Sequence, residues 1–257
     1  DGIRDTGEVT VVRSSGATAG KDALYASVSF SGNKDSELVG ARIIDVTAIG
    51  NAITKRTGVT YFKNGQGDEV ADYSYNYKEG TSTVKSTSIS FYGDGTKRAS
   101  AASTQDVLYA SVSYKLDKDS LAAGQKIADV TSINTATTNR TGVTYFDTHL
   151  GQGDELADYT LNYDSTGGSV KNVSYSFYGT ALERASLVDT TELGNGQNYL
   201  SKSELYKGTT SSAISTPANK RSATFFSGTA PGDEIANYSF NYSTTDGSTV
   251  RSTSISF

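Results

Sequence analysis

Cysteine, tryptophan and methionine are absent from this chain, and it holds two prolines and one histidine. Without cysteine there can be no disulfide framework and no thiolate-held zinc or redox centre. The lone histidine, His149, lies in the insertion Asp147–Gln152 without a metal-ligating cluster around it in sequence, so it reads as a solvated loop residue. No Ser-His-Asp arrangement, Walker loop, dinucleotide fingerprint or metalloprotease motif occurs. No apolar run approaches the roughly 20 residues that span a bilayer. The net charge is −5 and the basic residues form no stripe, which argues against a nucleic-acid partner. The opening Asp1-Gly2-Ile3-Arg4-Asp5 is charged and shows no leader pattern, as expected of the mature terminus of an exported protein.

Only 35% of the residues are hydrophobic, so any core must be thin and spread over many strands. What the chain does have is 17 Tyr, 9 Phe and 26 Gly in a Ser/Thr-rich text. Aromatic and β-branched side chains favour half-buried pleated sheets. The predicted fold class is all-β. The Ser, Thr and Asn content points outside the cell or to its surface. Asn139, Asn172, Asn237 and Asn241 head N-x-S/T sequons that a glycosylation system could use.

A repeat dominates the sequence. RTGVTYF occurs at 56–62 and again at 140–146, with RSATFF at 221–226 as a third version aligned on Arg221. Each is followed by a Gly-Asp-Glu triplet, then by ADYSYNY (71–77), ADYTLNY (157–163) or ANYSFNY (236–242). STSISF (86–91), NVSYSF (172–177) and STSISF (252–257) come next. The markers Arg13, Arg98 and Arg184 set a period of about 85 residues. LYASVSF (24–30) matches LYASVSY (108–114), and IDVTAI (44–49) matches ADVTSI (128–133); in the third copy this half is eroded. The expected organisation is an N-terminal extension strand (1–15) and three units (16–100, 101–186, 187–257), the third with its last strand missing. The units would stack as a coil of hairpins or as sandwich-like beads, forming an elongated rod.

Period-2 alternation in LYASVSF, DYSYNY and STSISF predicts strands with one buried face. Tyr73, Tyr75 and Tyr77 share a face, and Tyr75, Leu161 and Phe240 are equivalent candidate core positions. Glycine-bearing turns between DYSYNY and STSISF predict an antiparallel hairpin in each unit. About six strands per unit are expected, the Asp-Val-Thr segments included. Asp35–Gly40 and Asp119–Gly124 are the places for a helical turn.

Tyr163-Asp164-Ser165-Thr166-Gly167 resembles the core of a YD repeat, the tandem hairpin unit of Rhs-type and teneurin-type extracellular proteins. Tyr77–Gly80 and Tyr242–Gly247 are looser versions that lack the aspartate. The similarity covers the second half of each unit, and the unit here is far longer than that family's period. It implies an extracellular scaffold of coiled hairpins whose repeats carry no chemistry of their own.

The candidate chemistry is sparse. The acids Asp68, Glu69, Asp154, Glu155, Asp233 and Glu234 could bind calcium. A catalytic site tends to be unique in a chain, whereas a structural turn is copied with its unit, so these acids read first as turn residues. An ion pair with Arg56, Arg140 or Arg221 is their expected contact. No enzyme activity and no cofactor are expected. The tyrosine rows could stack on glycans, although cross-strand packing is the preferred reading, since Leu161 and Phe240 replace Tyr75 with apolar residues. The segment GEVTVVRSS (7–15) has a strand's composition, and the last strand ends at Phe257. The expected function is therefore a structural subunit of an extracellular filament or surface appendage. Its partner is a second copy, joined head to tail through Val9, Val11, Val12 and Arg13 against Ile255 and Phe257. The alternative is a monomeric adhesin or carbohydrate-binding repeat protein that meets glycans or other surface components.

Overall fold

Among the described residues, twelve strands, each hydrogen-bonded antiparallel to its neighbours in sequence, make a single sheet. In chain order they are β1 (Ala26–Phe30), β2 (Arg56–Lys63), β3 (Val70–Tyr77), β4 (Val84–Tyr92), β5 (Leu108–Lys115) and β6 (Arg140–Asp147). Then follow β7 (Leu156–Tyr163), β8 (Val170–Tyr178), β9 (Leu200–Lys207), β10 (Lys220–Ser227), β11 (Ile235–Tyr242) and β12 (Val250–Ile255). The computed structural model describes residues 22–51, 53–196, 198–209 and 211–257. Among the described residues the sheet is open, with β1 and β12 as its edges. The all-β expectation holds, and the segments weighed as sandwich-like beads instead share this one sheet.

The three expected hairpins form as β3–β4, β7–β8 and β11–β12. Their turns are closed by side chains that mimic backbone. Asp164 Oδ1 accepts hydrogen bonds from the amides of Thr166 and Gly167, and Asp246 Oδ1 accepts from Ser248 and Thr249. Gly167 has φ +80°, and a Cβ there would collide with the carbonyl of Thr137, so the turn fits only glycine.

Two sequence expectations change. The Asp-Val-Thr segments are not strands: they fold into 3-10 turns at Ile43–Asp45 and Ile127–Asp129. The aspartate decides this, because Asp45 Oδ2 accepts the amides of Gly40 (2.8 Å) and Arg42 (2.9 Å), and Asp129 accepts that of Lys126 (2.9 Å). Four strands per copy result, not six. The third copy supplies β9–β12, as the second supplies β5–β8. Where helical turns were expected, 3-10 turns stand at Lys34–Ser36 and Lys118–Ser120. A short helix α1 (Thr190–Gly194), capped by Asp189, was not foreseen.

One face of the sheet is covered by its own loops. The loop after β5 leans back over the preceding strands, so that Ile127, Val130 and Ile133 pack on Ile89 and Phe91 of β4 and on Val112 of β5. Tyr75 is tied to that loop by a 2.8 Å hydrogen bond from its hydroxyl to Asp119. The loop after β9 likewise places Ala213 and Ile214 on Tyr175 and Phe177 of β8. Tyr75 is buried, whereas its equivalents Leu161 and Phe240 are half-buried. The opposite face carries small polar side chains whose hydroxyls meet across strands, as in Ser88–Ser113 (3.4 Å), Thr144–Thr160 (2.9 Å) and Thr224–Ser239 (3.1 Å).

Candidate functional site

The triplet acids are built into backbone contacts. Glu69 accepts the amides of Gly67 (2.8 Å) and Leu24 (2.9 Å). Glu155 accepts those of Gly153 (2.9 Å) and Leu108 (2.7 Å), and Glu234 those of Gly232 (2.8 Å) and Leu200 (2.8 Å). Each carboxylate thus closes its own turn with one oxygen and holds the chain entering the adjacent strand with the other. The amide of Leu24, followed by those of Glu69 itself and Gly67, holds the Glu69 carboxyl below its ordinary value. Burial pulls Glu234 upward, but the amides of Leu200, Glu234 and Gly232 outweigh it and the net shift is downward. Asp68, Asp154 and Asp233 are exposed. Among the described residues no three His, Cys, Asp or Glu side chains gather as a metal site.

The expected ion pairs between these acids and Arg56, Arg140 or Arg221 do not form. Arg56 lies 4.0 Å over the Tyr77 ring and donates to the Ile49 carbonyl. Arg140 lies 3.8 Å over Tyr163 and donates to Ile133 and Gly167. The residue in this place in the third copy is Lys220, paired with Tyr206 as Arg140 is with Tyr114; Arg221 is one position out of register. The arginines that do pair with acids are Arg98 with Asp72 and Arg184 with Asp158, both at 2.6 Å. Arg98 also donates to the carbonyls of Ile127 and Val130, which locks the covering loop to the sheet.

The aromatic rows pack ring on ring across strands. Stacked cross-strand ring pairs recur as Tyr61–Tyr73 (4.7 Å), Tyr145–Tyr159 (4.8 Å) and Phe225–Tyr238 (4.7 Å). His149 is exposed yet not merely solvated. Its ring bonds Asp147 on one nitrogen and the Val188 carbonyl (2.8 Å) on the other, joining two loops. The Asp147 carboxylate raises its pKa. Asn64 makes the corresponding tie in the first copy, donating to Ala99 and Ala102. Nothing in the sequence pattern signalled that role, because the two residues differ in type.

The remaining candidates sit at the edges. Val9, Val11, Val12 and Arg13 lie outside the described residues. Ile255 is 62% exposed and Phe257 fully exposed, whereas their counterparts Ile89 and Phe91 in β4 are 0% exposed. Ile235 is 72% exposed against 7% for Val70 and 9% for Leu156, its counterparts in β3 and β7. A shallow groove lined by Ile235, Asn237, Ser256 and Phe257 marks the spot. In the first two copies the segments Ala99–Ala102 and Ala185–Val188 fill it.

At the other edge, Ile43 is 44% exposed against 6% for Ile127. No protein-family model, curated protein or solved structure matches the chain.

Proposed function

We propose that this chain is a structural subunit that polymerises by adding a strand to the open edge of its sheet, as part of an extracellular filament or surface appendage. The observation that carries the reading is the exposure of Ile255, Phe257 and Ile235 at one edge, at positions that are buried wherever a following copy is present. An open edge with apolar side chains beside it is a template for another strand. A head-to-tail contact of unlike edges whose rotation does not close a ring yields a rod. The described polar groups nearest to chemistry, the triplet glutamates, instead bind backbone amides. The Ser/Thr-rich composition and the YD-like turn support an extracellular place for the rod.

Negative-stain electron microscopy of the purified protein tests this. Unbranched filaments are the expected result. Monodisperse particles that do not elongate with concentration would contradict it. Such particles would favour the second reading, a glycan-binding monomer, for which the part-exposed stacked rings Tyr61–Tyr73, Tyr145–Tyr159 and Phe225–Tyr238 supply the platform.

A further inference from the structure

We infer that the two edges are the halves of one joint, in which β12 of one copy pairs with β1 of the next in the register that β4 and β5 use inside the chain; this rests on the polymer reading above. The first support is identity of sequence. STSISF at 252–257 repeats 86–91 letter for letter, and LYASVSF at 24–30 differs from 108–114 only in Phe30 for Tyr114. That difference removes a hydroxyl that is buried without a partner in β5. The internal pair sets Thr87 opposite Tyr114, Ser88 opposite Ser113, Ile89 opposite Val112 and Phe91 opposite Ala110. The same register across copies sets Thr253 opposite Phe30, Ser254 opposite Ser29, Ile255 opposite Val28 and Phe257 opposite Ala26.

The second support is the loop that follows each of these strands. The loop after β5 does not cover its own strand alone: Ile127, Val130 and Ile133 share one core cluster with Ile89 and Phe91 of β4, Val112 of β5 and Val143 of β6, and the loop is bonded by Tyr75 of β3 and by Arg98. The loop after β1 carries the same residues at the same spacing: Ile43, Val46 and Ile49 stand where Ile127, Val130 and Ile133 do. It also repeats the Asp-capped turn, Asp45 for Asp129. Leaning back in the same way, it reaches past β1, where this chain has no described strand, and Ile43 is 44% exposed there. A neighbouring β12 would bring Ile255 and Phe257 beneath it and rebuild the core cluster of the β4–β5 junction.

The third support is the groove at Ile235 and Phe257. Its internal counterparts are filled by the segments that follow Arg98 and Arg184. One term is weaker than inside the chain. Asn237 stands where Asp72 and Asp158 pair with Arg98 and Arg184, so this edge offers no carboxylate at that place. The occupant these features fit is a second copy of the chain.

The test uses the absence of native cysteine. Ser88 and Ser113 bring their hydroxyl oxygens within 3.4 Å, so the equivalent pair across copies, Ser254 and Ser29, suits a disulfide. The full-length double variant Ser29→Cys/Ser254→Cys, oxidised after assembly, should run on non-reducing gels as a ladder of multimers that reductant collapses. The control Ser27→Cys/Ser254→Cys, two residues out of register on the same face, should stay monomeric. Filaments without a ladder would overturn the β12–β1 joint while leaving the polymer reading intact. A ladder from Val11→Cys/Ser254→Cys in its place would overturn it in favour of the N-terminal segment as the donor strand. A faster-running monomer would mean ring closure within one chain, which also overturns it. Absence of both filaments and ladder would sink joint and polymer reading together.

Discussion

Replacing Glu204 by alanine is expected to destabilise the protein by about 3–5 kcal/mol, because it strips the counter-charge from two lysines in a buried setting. In the third copy Lys202 and Glu204 occupy the core positions that Ala110 and Val112 hold in β5, which is where the sequence repeat erodes. Glu204 lies within 3.3 Å of Lys202 and 3.1 Å of Lys220 and accepts a 2.7 Å hydrogen bond from Tyr206. Burial pulls its pKa upward, but Tyr206 and the lysines outweigh that and hold it below the ordinary carboxylate value. A satisfied buried charge network contributes little net stability, since desolvation offsets most of the attraction. The triple variant Lys202→Ala/Glu204→Val/Lys220→Arg, which restores the residues of the second copy, should therefore unfold within about 1 kcal/mol of the parent or above it. Urea unfolding with an unchanged slope reads both values. A single variant as stable as the parent would contradict the account.

The second large effect is alkaline unfolding. Burial is the main cause that pushes the phenols of Tyr61, Tyr92, Tyr114, Tyr145 and Tyr178 up to about 12 each. These groups have raised folded-state pKa values, so the stability they contribute is complete below pH 10 and is lost as pH rises through 12. At about 1.4 kcal/mol per unit, the three buried phenols, Tyr92, Tyr114 and Tyr178, remove several kcal/mol, a large share of the stability of a domain, and the partly exposed Tyr61 and Tyr145 add less because water screens them. Lys118 works in the opposite sense. Burial lowers its pKa to about 8, so its contribution grows as pH rises from 8 to 10.5. One lysine does not balance five tyrosines. Phenolate absorbance and circular dichroism should change together in one steep step between pH 10 and 12. Phenols that ionise gradually near pH 10 while the sheet signal persists would contradict the burial described here.

The hairpins and the shared face of Tyr73, Tyr75 and Tyr77 were legible in the sequence, because alternation and turn glycines are local signals. The structural role of the triplets was also legible, but their partners were not. Glu69 reaches Leu24, 45 residues away in the chain, and no spacing rule reports on a contact between a turn and a distant backbone amide. The Asp-Val-Thr segments read as strands from their β-branched residues, yet their aspartates, Asp45 and Asp129, captured the backbone first. The third arginine was misplaced because RSATFF looks like RTGVTYF from the arginine onward. The ladder instead aligns Ser222 with Gly142, both opposite an asparagine of the next strand, which puts Lys220 in the arginine's place. At the edges, exposure supplied what pattern could not, because Ile89 and Ile255 stand in identical sequence and differ only in what covers them.

The axial repeat of assembled filaments tests the central claim most directly. If β12 joins β1 so that the sheet runs unbroken from copy to copy, twelve strands at about 4.8 Å set a repeat of about 58 Å along the strand-stacking direction. Image reconstruction or fibre diffraction should show that repeat together with the inter-strand spacing on the same axis. Filaments whose strands do not stack along the axis, or whose sheets stop at each subunit boundary, would contradict it.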